Sequence, residues 1–196
     1  MPKDQSVAIV LAGINGAGKT TSSQALLADR LSVMSFVNAD TIARGLNAFA
    51  VEAVALQAGR VMLQRLAELA EERVDFAFET TLAGRTYLSF LRTLREKGYL
   101  VELYYFWLRS PDMAVNRVRI RVQSGGHDIP EATIRQRYGG SLKNFWTAYR
   151  HLADSWYVYD NSSSAPNLVA AGCQSNEALV ADEEIWKLFQ DEVSHA

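Results

Sequence analysis

Nine residues near the start of the chain have the types and spacing to handle a phosphate: Gly13-Ile14-Asn15-Gly16-Ala17-Gly18-Lys19-Thr20-Thr21. Glycines at these steps let the backbone turn its N–H groups onto an anion, and a helix opening behind them presents its positive end. Lys19 reaches the β and γ phosphates of a nucleoside triphosphate, and Thr20 offers a hydroxyl to a Mg²⁺ that prefers hard oxygen ligands. Gly13, Asn15, Gly16, Ala17, Gly18, Lys19, Thr20 and Thr21 are therefore the expected nucleotide contacts, with ATP and Mg²⁺ as cofactors. A chance glycine-rich turn is the alternative. The apolar run Val7-Ala8-Ile9-Val10-Leu11-Ala12 before the motif and the helical pattern Ala25, Leu26, Leu27, Leu31 after it favour the phosphate loop.

In a parallel sheet, ligands collect at the carboxyl ends of strands, so polar residues there are the next candidates. Asp40 follows the short apolar stretch Ser35-Phe36-Val37-Asn38 and stands where an acceptor hydroxyl needs a base; it could equally cap the helix starting at Thr41. Glu79 ends the run Val74-Asp75-Phe76-Ala77-Phe78 like a Walker B acid, as a metal ligand beside Thr20 or an acceptor contact; capping the next helix is its bland reading. Thr81 and Arg85, just beyond, are further acceptor-side candidates. Arg117 and Arg121 fall on one helical face at i and i+4 and are the catalytic candidates beside Lys19 and Asp40, as arginines of a short lid over about 110–135. A solvated basic face is the other reading, and Arg119 points elsewhere. Gly125-Gly126 reads as the hinge of that lid, with His127 as an acceptor or phosphate contact or a cap.

Those residues need a scaffold, and the chain alternates strand and helix patterns throughout. The reading is an α/β fold of P-loop NTPase type: three layers, α/β/α, with a parallel five- to six-stranded sheet, nucleotide-kinase-like. Apolar residues from about Phe49 to Leu69 predict one long amphipathic helix, Tyr87 to Leu94 another ending at Gly98, and Tyr99 to Leu108 a fourth strand. Ser110-Pro111 is a helix start. A later helix carries Tyr138, Leu142, Phe145, Tyr149 and Leu152, with Gly139-Gly140 a candidate kink. Trp156 to Asp160 is a fifth strand, Leu168 to Ala171 a sixth, and a closing helix centres on Ile185, Trp186, Leu188 and Phe189. Phe145, Trp146, Trp156 and Tyr157 read as core aromatics rather than a base-stacking platform.

Composition narrows the class. With 196 residues, 48% hydrophobic and 21% charged, residues 1–196 are expected to form a single domain. A net charge of -2 leaves no electrostatic footprint for nucleic acid or an anionic membrane. One cysteine, Cys173, excludes an internal disulfide, and the charged start without a long apolar segment points to the cytoplasm. The sequence also lacks the Asn-Lys-x-Asp motif of GTPases and the Leu-Ser-Gly-Gly-Gln stretch of transporter ATPases.

Gly13 to Thr21, Val37-Asn38-Ala39-Asp40, Phe78-Glu79-Thr80-Thr81-Leu82, Ser110-Pro111 with Arg117 and Arg121, and Gly125-Gly126-His127-Asp128-Ile129-Pro130 together resemble the zeta-toxin-like P-loop kinases. That family transfers the γ phosphate of ATP to the 3′-hydroxyl of UDP-N-acetylglucosamine. The resemblance implies ATP on Lys19 and Thr20, Asp40 as acceptor base, Glu79 and Thr81 on the substrate side, Arg121 as a lid arginine, and an antitoxin-like protein partner. Two positions depart from it. The acidic residue of the family's long helix falls at about Leu63 or Gln64, and its second lid arginine falls near His127, so Arg117 or a protonated imidazole would have to supply that charge. A kinase for another small hydroxylated metabolite, or a nucleotide-dependent switch without an acceptor, are the alternatives.

Overall fold

A computed structural model describes residues 5–32, 34–126, 128–174 and 176–196. The apolar run becomes β1 (Val7–Ala12), in which Ala8 to Ala12 are fully buried. A strand buried on both faces needs cover on both, as in α/β folds. β1 pairs in parallel with β3 (Phe76–Thr80) and β4 (Leu100–Trp107); β2 (Ser35–Val37) lies outside β3, and β5 (Ser155–Asp160) outside β4.

Beyond β5 the sheet departs from the all-parallel expectation. β6 (Asn167–Cys173) and β7 (Asn176–Val180) extend it to seven strands in the order β2-β3-β1-β4-β5-β6-β7, and each runs antiparallel to its neighbour. Connection length is the cause. Only positions 161–166 separate β5 from β6, and only 174–175 separate β6 from β7. A parallel return needs a crossover of about a dozen residues or more.

The helices are α1 (Lys19–Leu31), α2 (Ala39–Leu46), α3 (Ala55–Glu72), α4 (Tyr87–Glu96), α5 (Pro111–Gln123), α6 (Glu131–Asn144) and α7 (Glu183–Ser194). Successive strand residues point to opposite faces, so β4 identifies the two layers. Glu102 and Tyr104 accept hydrogen bonds from Arg30 of α1, whereas Tyr105 and Trp107 meet Phe145 and Phe189, beyond α6 and on α7. Phe145 and Trp156 are fully buried, and Trp146 and Tyr157 partly so.

Local chemistry explains three departures from the sequence pattern. The helix expected from Phe49 begins later, with a 3₁₀ turn at Val51–Val54 leading into α3, because Asn47 Oδ1 accepts the N–H groups of Phe49 and Ala50 and diverts them from helical pairing. Gly139 and Gly140 lie within continuous α6; the distortion comes afterwards, as a π-helical turn at Phe145–Tyr149. Gly125 and Gly126, expected as a hinge, close α5 with a helix cap: Gly125, at φ 82°, donates to Val122 O, and Gly126 donates back to Arg121 O.

Among the described residues no single helix is long and apolar enough to cross a membrane. The bent pair of α2 with the 3₁₀ turn and α3 passes on length and composition, but Ala58, Met62, Leu66 and Leu69 of α3 are buried inside the protein.

Phe189 of α7 is fully buried, with its ring 5.3 Å from Trp107 and 5.2 Å from Trp186. Phe189→Ala should lower unfolding free energy by about 3–5 kcal/mol in urea titration. A loss below about 1 kcal/mol would mean that α7 only rests on the surface.

Candidate active site

The phosphate loop joins β1 to α1, and its shape depends on close approach to other elements. Gly18, at φ 74°, is the left-handed residue preceding α1, and a Cβ there would lie 2.6 Å from Asn161 Nδ2. Any other residue would collide with the group that holds the loop: buried Asn161 donates to Ala17 O at 2.6 Å and Ser22 Oγ at 2.9 Å. Asn161 sits at the carboxyl end of β5. The rule that drew attention to Asp40 and Glu79 could have found it, but the sequence reading passed over it.

Lys19 Nζ donates to Ile14 O at 3.2 Å. Burial of the ammonium lowers the Lys19 pKa from the ordinary lysine range; Glu79 and Asp40 pull it back up, and Arg121 and Arg137 push it further down. Burial thus disfavours the ammonium, and the two carboxylates offset that only in part.

Thr20 Oγ1 donates to Glu79 Oε1 at 2.6 Å, and Glu79 Oε2 accepts from Asn38 Nδ2 at 2.6 Å. Asn38 in turn caps α2, its Oδ1 accepting the N–H groups of Asp40 and Thr41. The cap of α2 is therefore Asn38, not Asp40, and Glu79 caps no helix. One carboxylate links the phosphate loop, the end of β3 and the start of the helix that carries Asp40.

Two clefts open onto this line. One, of about 350 Å³, is lined by Asn15, Gly16 and Gly18 to Thr21 of the phosphate loop together with Arg44, Arg117 and Arg121, while Gly13 and Ala17, expected as nucleotide contacts, are buried and line neither cleft. The other, of about 380 Å³, is lined by Thr80, Thr81, Gly84, Thr86, Tyr87 and Arg137, with Ala55 at its α3 side. Asn15, Lys19, Asn38, Asp40 and Glu79 line both.

Most of the expected site residues come together here. Arg117 and Arg121 reach the phosphate-loop cleft, and Arg117 Nη2 also donates to Ser163 O at 3.3 Å, after β5. Arg119 is exposed and donates to Asn116 Oδ1 on its own helix. Thr81 lines the second cleft. Arg85 does not: it is exposed and donates from Nε to Asn144 Oδ1 at 3.2 Å, outside the lining of either cleft. His127 lies outside the described residues. A further cation, missed in the sequence, enters from α6. Arg137 Nη1 donates to Asn15 Oδ1 at 2.9 Å and lines the second cleft beside Lys19. Nothing local marks Arg137 among its neighbours Arg135 and Gln136; only the packing of α6 over the loop singles it out.

For a metal, Thr20 and Glu79 supply only oxygen donors, next to each other, and among the described residues no group of three or more His, Cys, Asp or Glu could hold an ion. That suits Mg²⁺, which takes one or two protein oxygens and completes its shell with phosphates and water.

A phosphate loop ending a central parallel strand, an acid ending the next strand and arginines converging from two helices define a P-loop phosphotransferase. The family model for zeta toxins matches residues 1–167, and the chain belongs to the zeta toxin family. It is 29% identical over 134 residues to an uncharacterized protein of Haemophilus influenzae, covering 68% of this chain and 94% of that one. Among solved structures it is similar to a chain of the AvrRxo1-ORF1:AvrRxo1-ORF2 complex, with TM-scores of 0.75 for the form with sulphate ions and 0.73 for the form with ATP, at 16% and 15% identity. That match covers 93% of this chain and 63% of the other, so the chain spans under two thirds of the longer protein. The PezAT toxin-antitoxin system of Streptococcus pneumoniae contributes a chain with a TM-score of 0.65 at 14% identity, covering 100% of this chain and 88% of that one.

Removing the Lys19 ammonium should affect the empty and loaded protein oppositely. A lysine with a lowered folded-state pKa destabilises the fold while protonated, and that cost disappears only as pH rises past the lowered value. At pH 7, Lys19→Met should melt no lower than wild type without ligand and show no stabilisation by Mg·ATP. A lower melting temperature with an intact ATP shift in thermal unfolding would contradict this placement.

Proposed function

We propose that the protein is an ATP-dependent kinase that transfers the γ phosphate to a hydroxyl of a small acceptor. One observation carries the reading: the phosphate-loop cleft and the second cleft meet at Lys19, Asp40 and Glu79, so a nucleotide in the first and an acceptor in the second face each other across a base and a cation. A nucleotide switch without an acceptor has no use for that second cleft.

Asp40 accepts the proton as the acceptor oxygen bonds to the γ phosphorus and the bond to the β-phosphate oxygen breaks, leaving ADP. Lys19 follows the migrating group, and Arg117, Arg121 and Arg137 spread its charge; Arg137 takes the place left by the missing second lid arginine. Thr20 and Glu79 would hold Mg²⁺, which offsets charge on the phosphates when bound. α5 and its arginines act as the lid, with motion outside the capped Gly125-Gly126 turn. ATP as donor is consistent with the fold shared with the ATP-bound AvrRxo1 complex.

UDP-N-acetylglucosamine, the acceptor of zeta toxins, is the first candidate. A different small hydroxylated metabolite is the second reading, and α3 favours it: the helix brings Ala55, and no carboxylate, to the lining of the second cleft, while Met62 is buried beneath the Tyr87 hydroxyl. The PezAT relative belongs to a toxin-antitoxin system, and we infer a comparable protein partner covering the phosphate-loop cleft. One domain acting in the cytoplasm, where ATP is supplied, completes the proposal.

Transfer from labelled ATP should be screened against nucleotide sugars, sugars and nucleosides, comparing wild type with Asp40→Asn. The variant keeps its shape and should bind ATP normally while transfer falls about 10²–10⁴-fold. Loss of ATP affinity with unchanged transfer at saturation would move Asp40 into the metal shell. Phosphate release with no labelled acceptor would favour the switch.

A further inference from the structure

The wall of the second cleft that follows β3 is a loop whose carbonyls are held by one neighbouring segment. Ser141 Oγ donates to Thr81 O at 2.6 Å; Asn144 Nδ2 donates to Leu82 O at 2.9 Å and Ala83 O at 3.1 Å; Tyr149 Oη donates to Gly84 O at 2.7 Å. Four successive carbonyls thus point at α6 and its π-helical continuation, and Ser141, Asn144 and Tyr149 are all buried. A serine hydroxyl has one proton, so Tyr105 Oη, 2.9 Å from Ser141 Oγ, must be the donor of that pair. Burial raises the Tyr105 pKa and keeps the phenol protonated.

The segment's geometry fits this task. A π turn has more residues per turn than an α-helix, which brings Tyr149 round toward the side occupied by Asn144, five positions earlier. Glycine at 140 permits close packing, since a Cβ there would lie 3.1 Å from Ala83 O. Both amide protons of Asn144 are used, and its Oδ1 accepts from Arg85 Nε, which fixes the amide's orientation. The loop being held is not one the chain adopts readily. Leu82 has φ 53°, a left-handed conformation that a leucine takes only when its surroundings impose it.

We propose that Asn144, flanked by Ser141 and Tyr149, is a positioning residue for phosphoryl transfer: it sets the Thr81–Gly84 wall, and so the acceptor relative to Asp40, without touching the acceptor. This rests on reading the second cleft as the acceptor site. Seven positions earlier on the same helix, Arg137 holds Asn15, so α6 spans from the nucleotide loop to the acceptor wall. Asn144 acts on the acceptor side alone.

Hydrogen–deuterium exchange and kinetics on the full chain test this with Asn144→Ala, Ser141→Ala and Tyr149→Phe; the last two each remove a single hydroxyl. Exchange over residues 81–86 should rise at least about tenfold in Asn144→Ala and less in the other two, with residues 13–21 and the Mg·ATP thermal shift unchanged. With UDP-N-acetylglucosamine as probe, KM for the sugar nucleotide should rise about 10–100-fold, KM for ATP should hold, and hydrolysis to water should persist. Unchanged exchange over 81–86 in all three variants, or an equal rise along the whole chain, overturns the proposal. If wild-type protein leaves UDP-N-acetylglucosamine unphosphorylated, that acceptor falls while the exchange comparison still decides the role of Asn144.

Discussion

The Glu79 carboxylate joins three elements that would otherwise be independent. One oxygen receives the Thr20 hydroxyl from the phosphate loop and the other receives Asn38, which caps α2. Hydrogen bonds to a carboxylate are the stronger kind, about 1.5–3 kcal/mol each against about 1 for a neutral pair. Their value here is geometric: the position of Asp40 follows from the Asn38 cap, the cap from Glu79, and Glu79 from the β3–β1 pairing beside the phosphate loop. A shift of one element displaces Asp40, Glu79 and the phosphate loop together.

Charge is concentrated on the same line. Lys19, Arg121 and Arg137 crowd a partly buried space against Glu79 and Asp40, where burial first, and the two arginines after it, strain the Lys19 ammonium and lower its pKa. A polyanion relieves that strain, and water does so poorly in a confined cleft. Under the proposed function the site would favour a bound triphosphate, and the same cations would reach the oxygens onto which charge spreads in the transition state.

Much of this was legible in the sequence because it is local. The phosphate loop follows from glycine, lysine and threonine at fixed spacing, and Asp40, Glu79, Arg117 and Arg121 from strand ends and helical periodicity. What escaped is contact between distant segments. Asn161 and Arg137 reach the loop from 144 and 122 residues away, and no short-range pattern encodes that. Asn144 left a faint trace, as a polar residue in the buried run around Leu142 and Phe145. Arg85 is the converse case: adjacent in sequence to the second cleft, it lies outside that cleft's lining and donates to Asn144. The parallel reading left connection length out of account, and the short links before β6 and β7 cannot bring a strand back in parallel.

Metal affinity in a Glu79→Gln variant is the most direct test of the central claim, that this one carboxylate joins metal ligation to placement of the base. The glutamine keeps the side chain's shape and removes its charge. Paramagnetic titration with Mn²⁺ in the presence of ATP, alongside ATP binding without metal, should show metal affinity falling about 10–100-fold while metal-free ATP binding holds. Transfer at saturating ATP and metal should fall as well, because Asn38 and Asp40 lose their anchor. Wild-type metal affinity and wild-type transfer in the same variant would contradict the claim.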